Sequence, residues 1–302
     1  MGQYLGETAG LLTALCWTFT GLSFEFASKR IGSFQVNIIR LFLAFFFIGI
    51  YTYFTRGFFL PVDATAFHWG WLALSGIIGF TIGDLLLFKG FETIGARLSL
   101  LIMSFSPPVA ALIGWVFLGE SLIWKSVLGM CVTITGIAIV ILERKKTDSK
   151  DSNKKLKVKY PVKGLLYAFG GSVGQAVGLV LSKYGMQDYN AFAASQIRVL
   201  AGLAGFIILF SIMRRWSKVA SAVTDKKAMA GVFSGSVFGP FLGVSFSLIA
   251  VKYTQVGIAS TIMSISPVII LPFSYFLFKE KFGWSEIIGA IVTVTGVSLF
   301  FL

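Results

Sequence analysis

Ile102-Met103-Ser104-Phe105-Ser106-Pro107 returns 160 residues later as Ile262-Met263-Ser264-Ile265-Ser266-Pro267. The register holds without a gap from 102–142 onto 262–302, with 13 identities in 41 pairs. Among them are Glu120/Glu280, Trp124/Trp284, Gly129/Gly289 and Thr133/Thr293. Working outward, Gly10-Leu11-Leu12 matches Gly164-Leu165-Leu166 at an offset of 154, and Arg40 matches Arg198 at 158. The chain is an internal duplication, and each later feature is read against its repeat mate.

Apolar residues make up 56% of the chain and charged ones 13%. No ordinary soluble domain has that balance. Apolar runs of about 20 residues recur, each long enough as a helix to cross a bilayer core. The expectation is an all-α polytopic membrane protein with ten spanning helices: about 5–27, 34–54, 68–88, 94–118, 122–142, 161–182, 191–213, 228–250, 255–278 and 284–302. The first lacks a basic n-region and a small-residue cleavage site, so it reads as a retained helix. His68 and Trp69 start a helix together and read as interfacial. Cys16 and Cys131 both fall inside apolar helices, so neither a disulfide nor a metal site is expected.

Residues 143–160 form a basic, polar stretch that reads as a solvated linker. It separates a first repeat, 1–142, from a second, 161–302, with five helices each. An odd count turns the second copy over in the membrane, so the halves form an inverted repeat. Numbering the loops in order, the odd ones carry 20 Lys and Arg and the even ones four. The positive-inside rule then places the linker in the cytoplasm and both termini outside. The net charge of +13 is thereby topological and calls for no nucleic-acid partner.

Two five-helix copies, each with an early arginine in helix two, Ser-Pro within helix four and a glutamate closing it (Leu118-Gly119-Glu120), resemble the EamA-type family of drug/metabolite transporters. The resemblance spans nearly the whole chain. It implies transport of a small organic metabolite (an amino acid, amine or similar), often outward, without naming the cargo. A prokaryotic cytoplasmic membrane is the expected location. Bilayer lipid and a small-molecule substrate are the expected partners, the oligomeric state is left open, and no cofactor is implied.

Candidate substrate-binding residues are Trp17, Asp84, Ser104, Ser106, Gln175, Ser264 and Ser266. The serines come from the two Ser-Pro segments, where Pro107-Pro108 and Pro267 with Pro272 free backbone carbonyls and loosen helices four and nine. Freed backbone at membrane depth survives only where protein or a water-filled cavity meets it. Trp17 shares one face of helix one with Thr13, Thr20 and Phe24. The matching face of helix six is glycine-rich, and Gly170, Gly174 and Gly178 suit close helix approach. Bulk in one half against space in the other suggests an asymmetric cavity. Gln175 enters through a comparison: small multidrug-resistance proteins, distant relatives of the family, carry a titrating glutamate eight residues before a lysine. The same count from Lys29 and Lys183 gives Gly21 and Gln175, which do not titrate.

Asp84 is the sharpest signal. A charged aspartate at bilayer depth costs about 2.5–3.5 kcal/mol on insertion scales, and its repeat mate is Val244. Lys89 and Arg97 are its candidate ion-pair partners, and Glu25 is a further candidate for coupling. Arg40 and Arg198 are assigned structural roles, their guanidinium groups able to snorkel to the nearer interface, with a cytoplasmic-side anchor for an anionic substrate as the alternative; Pro107 and Pro267 are likewise structural. An intramembrane aspartyl protease would need a second aspartate, and no Walker-type loop offers ATP drive. The expectation is therefore a secondary transporter working by alternating access and moving solute outward, with a channel or lipid flippase on the same scaffold as the alternative.

Overall fold

The computed structural model describes residues 4–119, 124–144, 156–158, 160–266, 269–270, 273 and 283–299. The first repeat begins with α1 (Leu5–Ile31) and α2 (Ser33–Arg56). Only Gly32 lies between them. Its φ of 87° lies where a side chain is disfavoured, so glycine permits the abrupt reversal. α3 (Ala66–Gly76) is capped by Thr65, whose side chain accepts from the His68 amide. It runs through π-helical turns at Ile77–Asp84 into α4 (Leu85–Ile102). A 3-10 turn at Met103–Phe105 leads to α5 (Ser106–Leu118), and α6 (Trp124–Ile141) follows.

The second repeat repeats the plan. It comprises α7 (Val162–Met186), α8 (Ala191–Met213), a short α9 (Trp216–Val223), α10 (Lys226–Ser236), α11 (Val244–Tyr253), α12 (Val256–Met263) and α13 (Trp284–Ser298). Asn190 caps α8 and Asp225 caps α10 through their side chains. Between α10 and α11 lie π-helical turns at Val237–Gly243, at the repeat position of those at Ile77–Asp84. A π turn widens the helix and re-aims its side chains, and such turns gather at functional sites. Composition alone did not foretell them.

Several expectations are corrected. The third expected helix is longer than 68–88, because α3, the π turns and α4 run on to Gly95 (φ 81°, ψ 161°), where the helical path breaks. The second copy breaks at the corresponding place, at Thr254 (φ −135°, ψ 173°). Pro107 and Pro108 do not kink a continuous helix. They stand in the first turn of α5 after the 3-10 turn, where a missing N–H costs no intrahelical bond. Pro267, Pro272, Glu120 and Glu280 lie outside the described residues. The linker contains a short antiparallel ladder, β1 (Leu142–Arg144) with β2 (Leu156–Val158), pairing Glu143 with Lys157. It is a small exception to an otherwise helical fold.

Among the described residues, six helical stretches are long and apolar enough to cross a membrane: Leu5–Ile31, Ser33–Arg56, Ala66–Met103, Val162–Met186, Ala191–Met213 and Lys226–Tyr253. Shorter apolar helices accompany them, including Ser106–Leu118. The 38-residue stretch Ala66–Met103 carries parts of two expected spans across Gly95, so length alone does not return ten.

The helices pack by a two-fold exchange of the repeats. α1 lies against α10 and α11 as α7 lies against α3 and α4, while α2 meets α8, α5 meets α12 and α6 meets α13. One close approach is between α7 and the π turns. A Cβ placed on Gly174 would sit 2.7 Å from the Gly83 Cα, and one on Gly178 would sit 3.1 Å from the Gly79 Cα. The glycine face of α7 is therefore filled by the neighbouring backbone. It does not open onto a cavity, and the expected source of asymmetry is wrong. The Ser75 hydroxyl seals this contact by donating to the Gly178 carbonyl at 2.7 Å.

Candidate functional site

The core encloses a two-lobed cavity where both repeats meet. One lobe is lined by Arg198, Leu179, Ser106, Ser247, Ser260, Ser264 and Ser266. The other is lined by Arg40, Asp84, Phe80, Phe88 and Phe91. Trp17, Leu100, Met103, Gln175 and Val244 border both lobes. Of the residues expected to bind substrate, six line the cavity: Trp17, Asp84, Ser106, Gln175, Ser264 and Ser266. Ser104 does not. It is fully buried within the 3-10 turn, and its hydroxyl has no hydrogen-bond partner among the described residues.

In the first lobe most hydroxyl protons are already committed. Ser260 donates to the Val256 carbonyl at 2.6 Å, Ser264 to Ser260 at 2.8 Å and Ser247 to Val244 at 2.7 Å. Ser266 bonds across the repeats to the Ala14 carbonyl at 3.0 Å. Because each proton is engaged, these oxygens offer lone pairs to the cavity. Ser106, at the start of α5, makes no side-chain hydrogen bond among the described residues.

The charges are arranged differently from expectation. Asp84 is paired neither with Lys89 nor with Arg97. An Arg40 Nη2–H donates to its Oδ2, and Gln175 Nε2 donates to its Oδ1. Arg40 and Asp84 are buried, with side chains 3% and 8% exposed, so the arginine does not snorkel. It is held further by Asn37, which accepts from its Nε at 3.0 Å, and by the Phe88 ring 4.8 Å away. The physical reason is direct. At this depth a carboxylate must find a cation or become neutral, and the π turn points Asp84 across to α2, away from its sequence neighbours.

Lys89 instead stands over the Phe34 and Tyr167 rings at 5.0 and 5.4 Å. Arg97 lies just past the Gly95 break, away from both lobes. Glu25 pairs with Lys29 at 2.6 Å, one helical turn on, and also lies outside the cavity. Arg198 is 2% exposed, with its guanidinium 4.9 Å from the centre of the Phe80 ring. Arg40 stands over the other edge of the same neighbourhood, 5.6 Å from that ring. The cavity thus holds two guanidinium groups and one carboxylate.

Sequence reasoning missed the Arg40–Asp84–Gln175 cluster and the lining serines Ser247 and Ser260. A signal for the cluster existed: an acid and a base buried at membrane depth are expected to pair across helices. Ser260 was also within reach, lying one turn before Ser264 on the same helix face.

Among the described residues, no group of three or more His, Cys, Asp or Glu side chains is placed to hold a metal ion. The chain is similar to two proteins named as transporters, one of them over nearly its whole length. A protein of Archaeoglobus fulgidus named "uncharacterized transporter" is 21% identical, with 97% of this chain and 96% of that protein covered. A Clostridium kluyveri protein of the same name is 26% identical over 137 residues, covering 45% of this chain and 42% of that protein. A solved crystal structure at 15% identity overlays with a TM-score of 0.68, covering 98% of this chain and 96% of that one, which speaks for the fold. The model of the EamA-like transporter family matches residues 4–142 and again 162–302. Matched in both copies, the chain belongs to the EamA-like transporter family of membrane proteins.

Proposed function

We propose that this chain is a secondary transporter that moves a small organic solute outward by alternating access of two inverted five-helix repeats, 1–142 and 161–302. The observation that carries the reading is the enclosed, partly polar cavity at the meeting of the two repeats. Transporter sites lie near the midplane at such interfaces, where irregular helix turns can meet polar solute. The two π-helical segments at equivalent positions supply those turns here. The two-fold exchange of helix contacts supports a mechanism in which each half can adopt the arrangement of the other. Outward direction rests on the family resemblance, and the orientation rests on the 20-to-4 basic loop count.

Trp17, Gln175, Ser106, Ser264 and Ser266 are the proposed solute contacts. Asp84, already held by Arg40 and Gln175, is proposed as the structural centre of the cavity wall. Purified protein in liposomes should show saturable counterflow of a solute drawn from a panel of amino acids, amines and organic acids. Non-saturating flux would favour a channel, and lipid movement without solute flux would favour a flippase.

A further inference from the structure

Among the described residues, the cavity lining carries one more positive than negative charge, and the surplus sits on Arg198. Asp84 acts on it through space, but the Asp84 oxygens are engaged by Arg40 and Gln175. No ion pair or hydrogen bond reaches the Arg198 side chain among the described residues, and its Nε is buried without a partner. A guanidinium carries five donors in a planar fork and does not lose its charge in proteins. Left so in an enclosed space it is strongly disfavoured, unless something else completes it. Its mate Arg40 shows what completion looks like on the same scaffold: a carboxylate, a side-chain amide oxygen and an aromatic face. Arg198 has the aromatic face alone.

We infer that the solute carries a carboxylate and docks it on Arg198, so that the substrate supplies the anion that the protein supplies to Arg40. The surroundings fit such a solute. Ser106 has a free hydroxyl proton that can add a donor to the carboxylate. Ser247, Ser260, Ser264 and Ser266 present lone pairs that suit an N–H or O–H elsewhere on the molecule. Trp17, Leu100, Leu179 and Met263 give the remainder an apolar wall. Small amino and hydroxy acids meet all three demands. A simple amine offers Arg198 no anion and adds a second surplus cation, so it is excluded.

The inference rests on reading the cavity as the transport site, and the test separates the two. Full-length protein in detergent is titrated with pentanoate, L-norvaline, pentylamine and 1-pentanol, which share chain length and differ in head group. Thermal stabilisation is the readout. Pentanoate and norvaline should stabilise the protein, and pentylamine and pentanol should not. Arg198→Gln should weaken pentanoate binding about 30-fold or more, the scale for removing one partner of a buried charge pair. Arg198→Lys should retain part of it.

Equal stabilisation by pentylamine, undiminished pentanoate binding in Arg198→Gln, or no stabilisation by any carboxylate from acetate to hexanoate would each overturn the inference. The wild-type head-group series decides the matter if Arg198→Gln does not fold. Carboxylate binding without counterflow in liposomes would support the Arg198 site and sink the transport reading. Counterflow of an amine, unchanged in Arg198→Gln, would do the reverse.

Discussion

Arg40 and Asp84, 44 residues apart in sequence, form a buried ion pair between α2 and the end of the first π-helical segment. Gln175 of the second repeat completes it, so the pair also ties the halves together. Breaking a buried pair by removing one partner costs about 3–5 kcal/mol, because the other charge is left uncompensated. Asp84→Asn should therefore lower the melting temperature of the purified protein strongly, and Arg40→Gln should do the same. The double variant should lose less than the sum of the two. Additive losses in this cycle would show that the two charges do not interact.

The contact of Gly174 with Gly83 leads to a different expectation. A methyl group at Gly174 would stand 2.7 Å from the Gly83 Cα, where no flexible side chain can yield. Gly174→Ala should destabilise the protein by about 1–3 kcal/mol through overpacking. Gly70→Ala is the control, since a Cβ there meets nothing within 4 Å. Equal melting temperatures for the two variants would rule out the close approach.

How much of this was legible beforehand depends on which interactions are local. The duplication, the helical class and the apolar spans follow from periodicity and repeated motifs such as Met103-Ser104 with Met263-Ser264. The convergence of Ser106, Ser264 and Ser266 on one cavity also follows from the repeat, because equivalent helices meet about the exchange axis. The partner of Asp84 did not follow. Lys89 and Arg97 are close in sequence, but the π turns that direct Asp84 toward Arg40 leave no trace in hydropathy. The close approach on the glycine face of α7 was legible from its spacing, but that this contact leaves no room for a cavity was not. Small residues fit close approach with or without open space beside it, and only the facing backbone of Gly79 and Gly83 decides between the two.

The orientation can be tested apart from the site. With Cys16 and Cys131 replaced by serine, a cysteine at Ser149 should resist an impermeant maleimide in intact cells and react after permeabilisation. The 20-to-4 imbalance of basic loop residues motivates this. Ready labelling in intact cells would reverse the orientation and leave the exchange of helix contacts untouched.

Ser106 offers the cleanest separation of transport from folding. Its side chain is half-buried, borders the lobe that holds Arg198 and makes no hydrogen bond among the described residues, so replacing it orphans no partner. It stands at the first position of α5, followed by Pro107 and Pro108, so the backbone there is set by the prolines more than by its own side chain. A phenyl ring at this point would extend into the cavity and occupy volume that a small solute needs. Overpacking of that kind costs about 1–3 kcal/mol, and here the loss falls on solute binding because the cavity can receive the ring. Ser106→Phe should reach the membrane at the wild-type level, melt within a few degrees of wild type and lose counterflow by about tenfold or more. Ser106→Ala, which keeps the space and removes the free donor, should lose less. Wild-type counterflow in Ser106→Phe would place the solute path elsewhere.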